Sequence, residues 1–280
     1  MAVEKLVGAT PKIEKIATGF SFTEGPVFSR IGYLLFSDIP KNRIMKWHPG
    51  SEATVLRENS NGANGLTFDH QGRLLACEQN RVTRTEKDGK ITELAAGIDG
   101  KQLMSPNDLV YSIDGSIYFT VLRSRNAAQN PSALDASVLC QITRKGEVRI
   151  VSRDCERPNG VALSPNQQQL LVADSSQKNI RVYDVSGDGS LRNGRVLCEL
   201  KSDQPGGPDG LKTDESGNIW VAGPGGIWVF DAKGAHLGTV AMPEPPSNCA
   251  WGAGFHDLYV TARTSVYRLA TTKVSGTRTF

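Results

Sequence analysis

Short apolar runs, alternating with polar residues and broken by turns, fill the chain from end to end. Six stretches share one form: a polar residue, often followed by glycine, then an alternating run, a turn and a second apolar run. They are EGPVFSRIGYLLFSD (24–38), NGLTFDHQGRLLACE (64–78), NDLVYSIDGSIYFT (107–120), NGVALSPNQQQLLVAD (159–174), DGLKTDESGNIWVA (209–222) and NCAWGAGFHDLYVT (248–261). Their starts are 40, 43, 52, 50 and 39 residues apart. A period of this size marks a solenoid or a propeller, and the two-residue alternation excludes helical repeats. Further strand-like runs lie between the copies, such as RIMKWHP and GIWVFDAKGAHLGTV, so each repeat supplies four strands. The expected fold is all-β: a six-bladed β-propeller of four-stranded antiparallel blades around a central channel. It is read as a single domain over 1–280, with its core at about 13–270.

The ends of the pattern are uneven. The last repeat stops after SVYRLA (265–270), one strand short, while KIEKIATGF (12–20) precedes the first repeat without a partner. Pairing the two closes the ring and removes an open sheet edge.

The first strand of each propeller blade lines the channel, so equivalent positions form a ring about the axis. That position reads Glu24, Asn64, Asn107, Asn159, Asp209 and Asn248. Every one carries a side-chain oxygen. Turn chemistry accounts for Asn or Asp before Gly at some positions, Asn64 and Asn248 first among them, but not for Glu24. Oxygens with two carboxylates suit a hard divalent cation, calcium before magnesium or manganese. The four histidines, His48, His70, His236 and His256, show no ligand spacing.

Composition narrows the picture without redirecting it. A net charge of +3, with 22% charged residues scattered along the chain, points to no nucleic-acid or membrane surface. A small molecule is the expected partner; nothing in the sequence specifies an oligomeric state. No apolar run approaches ~18 residues, so the expectation is a cytoplasmic protein, or an exported one already trimmed. Five cysteines without a CxxC pair read as buried free thiols.

The motifs TEGPVF, SPNDLV, RPNGVALSP and GPDGLKTDESGNIWVA resemble those of the senescence marker protein-30/gluconolactonase/luciferin-regenerating family, over most of the chain. The resemblance implies a six-bladed propeller with one divalent ion in the channel, calcium foremost, with magnesium, manganese, zinc or ferrous iron as alternatives. It implies Glu24, Asn159 and Asp209 as ligands, Asn107 as a further ligand or substrate contact, and hydrolysis of a sugar lactone. No GxSxG elbow or Ser-His-Asp set is present, which favours metal-assisted attack by water. Asp209 then acts as ligand and base, or as ligand that orients the water. Two departures bear on substrate: Val121 stands where relatives often carry Asp, and Ser105 where animal sugar lactonases carry Arg. The loop 122–135 is a candidate cover for the mouth, with Arg123 and Arg125 as substrate contacts, and Trp251 as a candidate border of the pocket. The competing readings are other chemistry at the same site, phosphotriester or ester hydrolysis or a lyase or isomerase step, and a non-enzymatic propeller stabilised by its ion.

Overall fold

The computed structural model describes residues 2–123, 129–252, 254–270 and 273–277. Six four-stranded antiparallel sheets follow one another around an axis. Their inner strands are Thr23–Phe28, Leu66–Phe68, Pro106–Tyr111, Pro158–Leu163, Leu211–Thr213 and Pro246–Gly252. The blades are numbered one to six in that order. Each of the first five is built from consecutive strands running outward. The sixth takes its outer strand from the other end of the chain: Lys12–Thr18 pairs antiparallel with Ser265–Ala270, from Lys12 opposite Ala270 to Thr18 opposite Ser265. The unpartnered first strand therefore closes the ring, as its lack of a local partner predicted.

Local chemistry explains the hairpins. The turn after the inner strand of blade two is held by Asp69, whose Oδ1 accepts from the backbone N–H of Gln71 and Arg73, both at 2.9 Å. Asp214 does the same in blade five for Ser216 and Asn218, at 3.0 and 2.9 Å. Gly72 and Gly217 sit in these turns at φ 74° and 81°, where a side chain is strained. The acid and the glycine together fix the turn.

Apolar residues pack mainly between blades. One cluster joins Leu75, Cys77 and Val82 of blade two to Leu109, Phe119 and Cys140 of blade three. Another joins Trp220 and Val229 of blade five to Cys249, Trp251 and Val260 of blade six. All five cysteines are buried and free. Burial pushes the Cys249 and Cys140 thiols up to about 12, so these are packing groups rather than nucleophiles. Among the described residues, no helix is long and apolar enough to cross a membrane.

Candidate functional site

Each inner strand is bulged where the ring of oxygens was expected. In blade two the N–H of Asn64 and the carbonyl of Gly65 both bond to Cys77, at 2.8 and 2.9 Å, so two residues face one. Asp209 and Gly210 face Ala222 in the same way, at 2.8 and 2.9 Å. In blades one, three, four and six the register slips between Glu24 and Val27, Pro106 and Leu109, Pro158 and Val161, and Pro246 and Asn248. A bulge re-aims a side chain at the end of a strand. Repeated around the axis, it sets Glu24, Asn64, Asn107, Asn159 and Asp209 at one end of the channel. In blade six the equivalent residue is Ser247, whose carbonyl accepts from Gly210 N–H as that of Asn107 does from Gly65 N–H. The expected ring residue Asn248 falls one position later, level with Asp108.

Close packing of neighbouring blades holds the ring. A β-carbon on Gly210 would collide with the Asn248 carboxamide, and one on Gly65 would lie 2.6 Å from Asp108 Cα. The residue after the ring position is glycine in blades one, two, four and five; in blade three it is Asp108 and in blade six Asn248. The blade-three exception puts a third carboxylate into the channel. Asp108 is 3% exposed, and Asn248 Nδ2 lies 3.4 Å from its Oδ2 while donating to Glu24 Oε2 at 3.0 Å. Side-chain hydroxyls tie one blade to the next: Ser37 Oγ donates to Asn64 O at 2.8 Å, and Thr120 Oγ1 to Asn159 O at 2.7 Å.

The electrostatics are unbalanced. Burial, then the nearby Asp108 charge, pushes the Glu24 carboxyl up to about 7, against hydrogen bonds from Gly25 N–H and Asn248 and the more distant Lys212. Asp209 keeps some contact with the cavity, yet burial followed by the Glu24 and Asp108 charges drives it well above its ordinary value. Buried carboxylates of like charge call for a cation or for protons. Among the described residues no three His, Cys, Asp or Glu side chains form a metal-holding group by themselves. A cation here would therefore draw on asparagine oxygens too, which fits a hard ion with several oxygen ligands.

A cavity of about 600 Å³ opens onto this end of the channel, lined by Asn159, Ser175 and Asp209 together with Phe22, Arg157 and Arg263. Asn159 Nδ2 donates to Ser175 Oγ at 3.1 Å, and Ser175 Oγ donates to Pro208 O at 2.6 Å. That chain orients the Asn159 carboxamide beside Asp209. Asn107 and Asn64 are half-buried in the ring. Asn248 is spent on Glu24, Asp108 and the Cys249 N–H, which it accepts at 2.8 Å.

Two expectations of substrate contact need correction. Arg123 lies on the surface, its Nε 2.6 Å from Asp135 Oδ1, and does not line the cavity. Trp251 is 2% exposed, its Nε1 donates to Thr213 O at 2.9 Å and its ring meets Trp220 edge-on at 5.2 Å. It is core between blades five and six, because three residues along the inner strand carry it away from the mouth. Arg125 lies outside the described residues. Val121, the departure noted from the resembling family's pattern, is fully buried with Leu103, Leu134 and Val138. The corresponding strand ends in blades one, two and four carry Asp38, Glu78 and Asp174, which bind loop backbone or arginines.

Sequence reasoning missed Asp108, Arg157, Arg263 and Ser175. Asp108 was visible as the acid that breaks the glycine column. Arg157 stands directly before the Pro-Asn-Gly motif. Nothing in the sequence alone placed Ser175 or Arg263.

Residues 22–264 match the pattern of the SMP-30/Gluconolactonase/LRE-like region. The chain belongs to this family. Curated relatives include a gluconolactonase of Zymomonas mobilis, 28% identical over an alignment covering 96% of this chain and 84% of that protein. A pentonolactonase of Haloferax volcanii is 27% identical, covering 88% of this chain and 83% of that one. Among solved structures, a gluconolactonase from Xanthomonas campestris superposes with a TM-score of 0.86 at 27% identity, covering 96% and 92% of the two chains. The oxygen ring falls inside the matched segment.

Proposed function

We propose that the protein is a lactonase-type hydrolase that opens a small sugar lactone with the help of a divalent cation, calcium first. Glu24, Asn159 and Asp209 would hold the ion, with Asn107 beside them. The observation that carries this reading is the gathering of three carboxylates, Glu24, Asp108 and Asp209, beside a cavity that Asp209 and Asn159 line, with no ion pair to any of the three among the described residues. The lactonase names of the relatives support the reaction class. A cation in the ring supplies Lewis acidity toward the lactone carbonyl and charge to offset the developing oxyanion.

The chain's own groups do the rest. Asn159, fixed by Ser175, and Asn107 present polar oxygens and N–H groups to a hydroxylated ring. Asp209, which lines the cavity, serves the attacking water, either orienting it or taking its proton. The water oxygen bonds to the carbonyl carbon, the ring C–O bond breaks, and the proton passes to the departing alkoxide. The product is an open hydroxy acid.

The test is proton release from glucono-, galactono- and xylono-lactones. The protein is stripped with chelator and then given calcium, magnesium, manganese, zinc or ferrous iron singly. Cation-dependent turnover that Asp209→Asn abolishes while retaining bound metal is the expected result, and it assigns Asp209 to the water. Cation binding with no turnover of any lactone would sink the reading.

A further inference from the structure

The cavity above the ring has an unusual charge pattern. Among the described residues, Asp209 is the only acid that lines it. Two arginines, Arg157 and Arg263, line the same cavity, and both are exposed. Among the described residues, neither pairs with a carboxylate. Other arginines of the molecule do pair: Arg57 and Arg81 with Glu78, Arg73 with Asp69 and Arg123 with Asp135.

Both arginines ride on fixed backbone. Arg157 N donates to Asp174 Oδ1 at 3.1 Å, and its carbonyl accepts from Ser175 N at 3.1 Å. Arg263 occupies the two-residue turn between Asp257–Ala262 and Ser265–Ala270, where Ala262 pairs with Ser265. Its φ is 44°, a left-handed conformation that hairpin turns ordinarily give to Gly, Asn or Asp. Thr23, fully buried, holds the Arg263 carbonyl from its N–H at 2.7 Å and its Oγ1 at 3.2 Å. A long cationic side chain thus stands where turn geometry favours a small residue, and it stands over the cavity. Strained positions of this kind cluster at ligand sites. On the same wall Phe22, 38% exposed, offers an aromatic face for the C–H side of a sugar ring.

We infer that the preferred substrate is an anionic lactone, a sugar-acid lactone with a carboxylate or phosphate ester remote from the reacting carbonyl, received by Arg157 and Arg263. The guanidinium fork matches either group. The cation ring takes the carbonyl end while the arginine pair takes the charged end, so the two ends set the register of the ring. This inference rests on the lactonase reading above and adds the substrate class to it.

The experiment compares glucono-1,5-lactone with two charged analogues, glucaro-1,4-lactone for a carboxylate and 6-phosphoglucono-1,5-lactone for a phosphate, on the calcium-loaded protein. At least one charged lactone should show kcat/KM more than about tenfold above the neutral one, chiefly through KM. In the Arg157→Gln/Arg263→Gln double variant that ratio should fall to about one. The preferred charged lactone tells carboxylate from phosphate. Calorimetry with the open acids reads binding without turnover. Gluconate carries only the carboxylate freed by ring opening, whereas glucarate and 6-phosphogluconate carry a second charged group. The two doubly functional acids should bind more tightly than gluconate to the wild type only. Equal or better use of the neutral lactone would overturn the inference and leave the lactonase reading intact. So would a charge preference that survives the double variant. Charged-acid binding lost in the variant, with no lactone cleaved, would support the arginine site and defeat the reaction proposed for it.

Discussion

Glu78 and Glu24 are both buried glutamates near the same end of neighbouring blades, yet their surroundings are opposite. Glu78 is completely enclosed and receives Arg57, Arg81 at 2.8 Å and Thr83 at 2.8 Å. Burial pushes its carboxyl up, but the hydrogen bonds and charges of those arginines outweigh that and hold it below the ordinary range. Among the described residues Glu24 receives only the Gly25 N–H and Asn248; it is buried, faces Asp108, and rises to about 7. The protein has the means to neutralise a buried acid and uses them in the wall of the propeller, not on its axis. A carboxylate supplied with its own cations is a structural part; carboxylates gathered without one are what the proposed cation from outside would balance.

The widest separation comes from breaking the satisfied acid. Glu78→Ala strips partly buried Arg57 of its carboxylate, leaves Arg81 with Glu93 at 3.7 Å, and should cost about 3 kcal/mol in urea unfolding. Calcium should still raise the melting temperature of that variant by as much as it raises the wild type. If calcium's effect disappears with Glu78, the wall and the axis are not separate systems. Next in size is the effect of calcium itself. A chelator-stripped protein given calcium at about a hundred times its dissociation constant should gain about 2.7 kcal/mol. No gain at any calcium concentration would remove the cation from the ring. Smaller still is Asp108→Asn, which takes one like charge from the axis and keeps an oxygen to accept from the Leu109 N–H at 2.9 Å. The metal-free variant should be about 1 kcal/mol more stable than wild type, while its gain from calcium shrinks. A loss of stability without metal would mean that Asp108 is held as firmly as Glu78.

The same contrast shows what the sequence made legible. Alternation and the repeat reported the blades, because half-buried strands must alternate and identical packing units recur. The orphan first strand reported the closure. The oxygen ring was legible because the bulge recurs at one repeat position, so Glu24, Asn159 and Asp209 aligned before any fold was known. Contacts between blades were not. Arg263 reaches the cavity from the far hairpin of blade six, and Ser175 from the end of a second strand in blade four. No periodicity reports which turn residues converge across a channel. Arg123 and Trp251 misled for the same reason. Trp251 lies near a ring residue along the chain and Arg123 opens the loop read as a cover for the mouth, but Arg123 is drawn off to Asp135 and Trp251 into the packing between blades.

A third acid gives the finest test, because it is satisfied by hydroxyls rather than by arginines. Glu244 accepts from Ser265 Oγ at 2.6 Å, Tyr267 Oη at 2.7 Å and Thr264 N at 3.1 Å, with Lys15 at 3.5 Å. It thereby joins the loop between blades five and six to both strands of the closing seam. Burial works upward on its carboxyl, but Ser265, Tyr267 and Thr264 outweigh it and hold the pKa at about 2, below the ordinary 4.5. A depressed folded pKa means that the unfolded chain binds the extra proton. The stabilisation is therefore complete above the ordinary value and is lost as pH falls toward about 2. Solvent at the rim screens it to about 1 kcal/mol. Urea midpoints of wild type and Glu244→Gln should differ most above about pH 5 and converge by about pH 2. A difference that stayed constant across that range would show that Glu244 holds the seam by packing and neutral hydrogen bonds rather than by its charge.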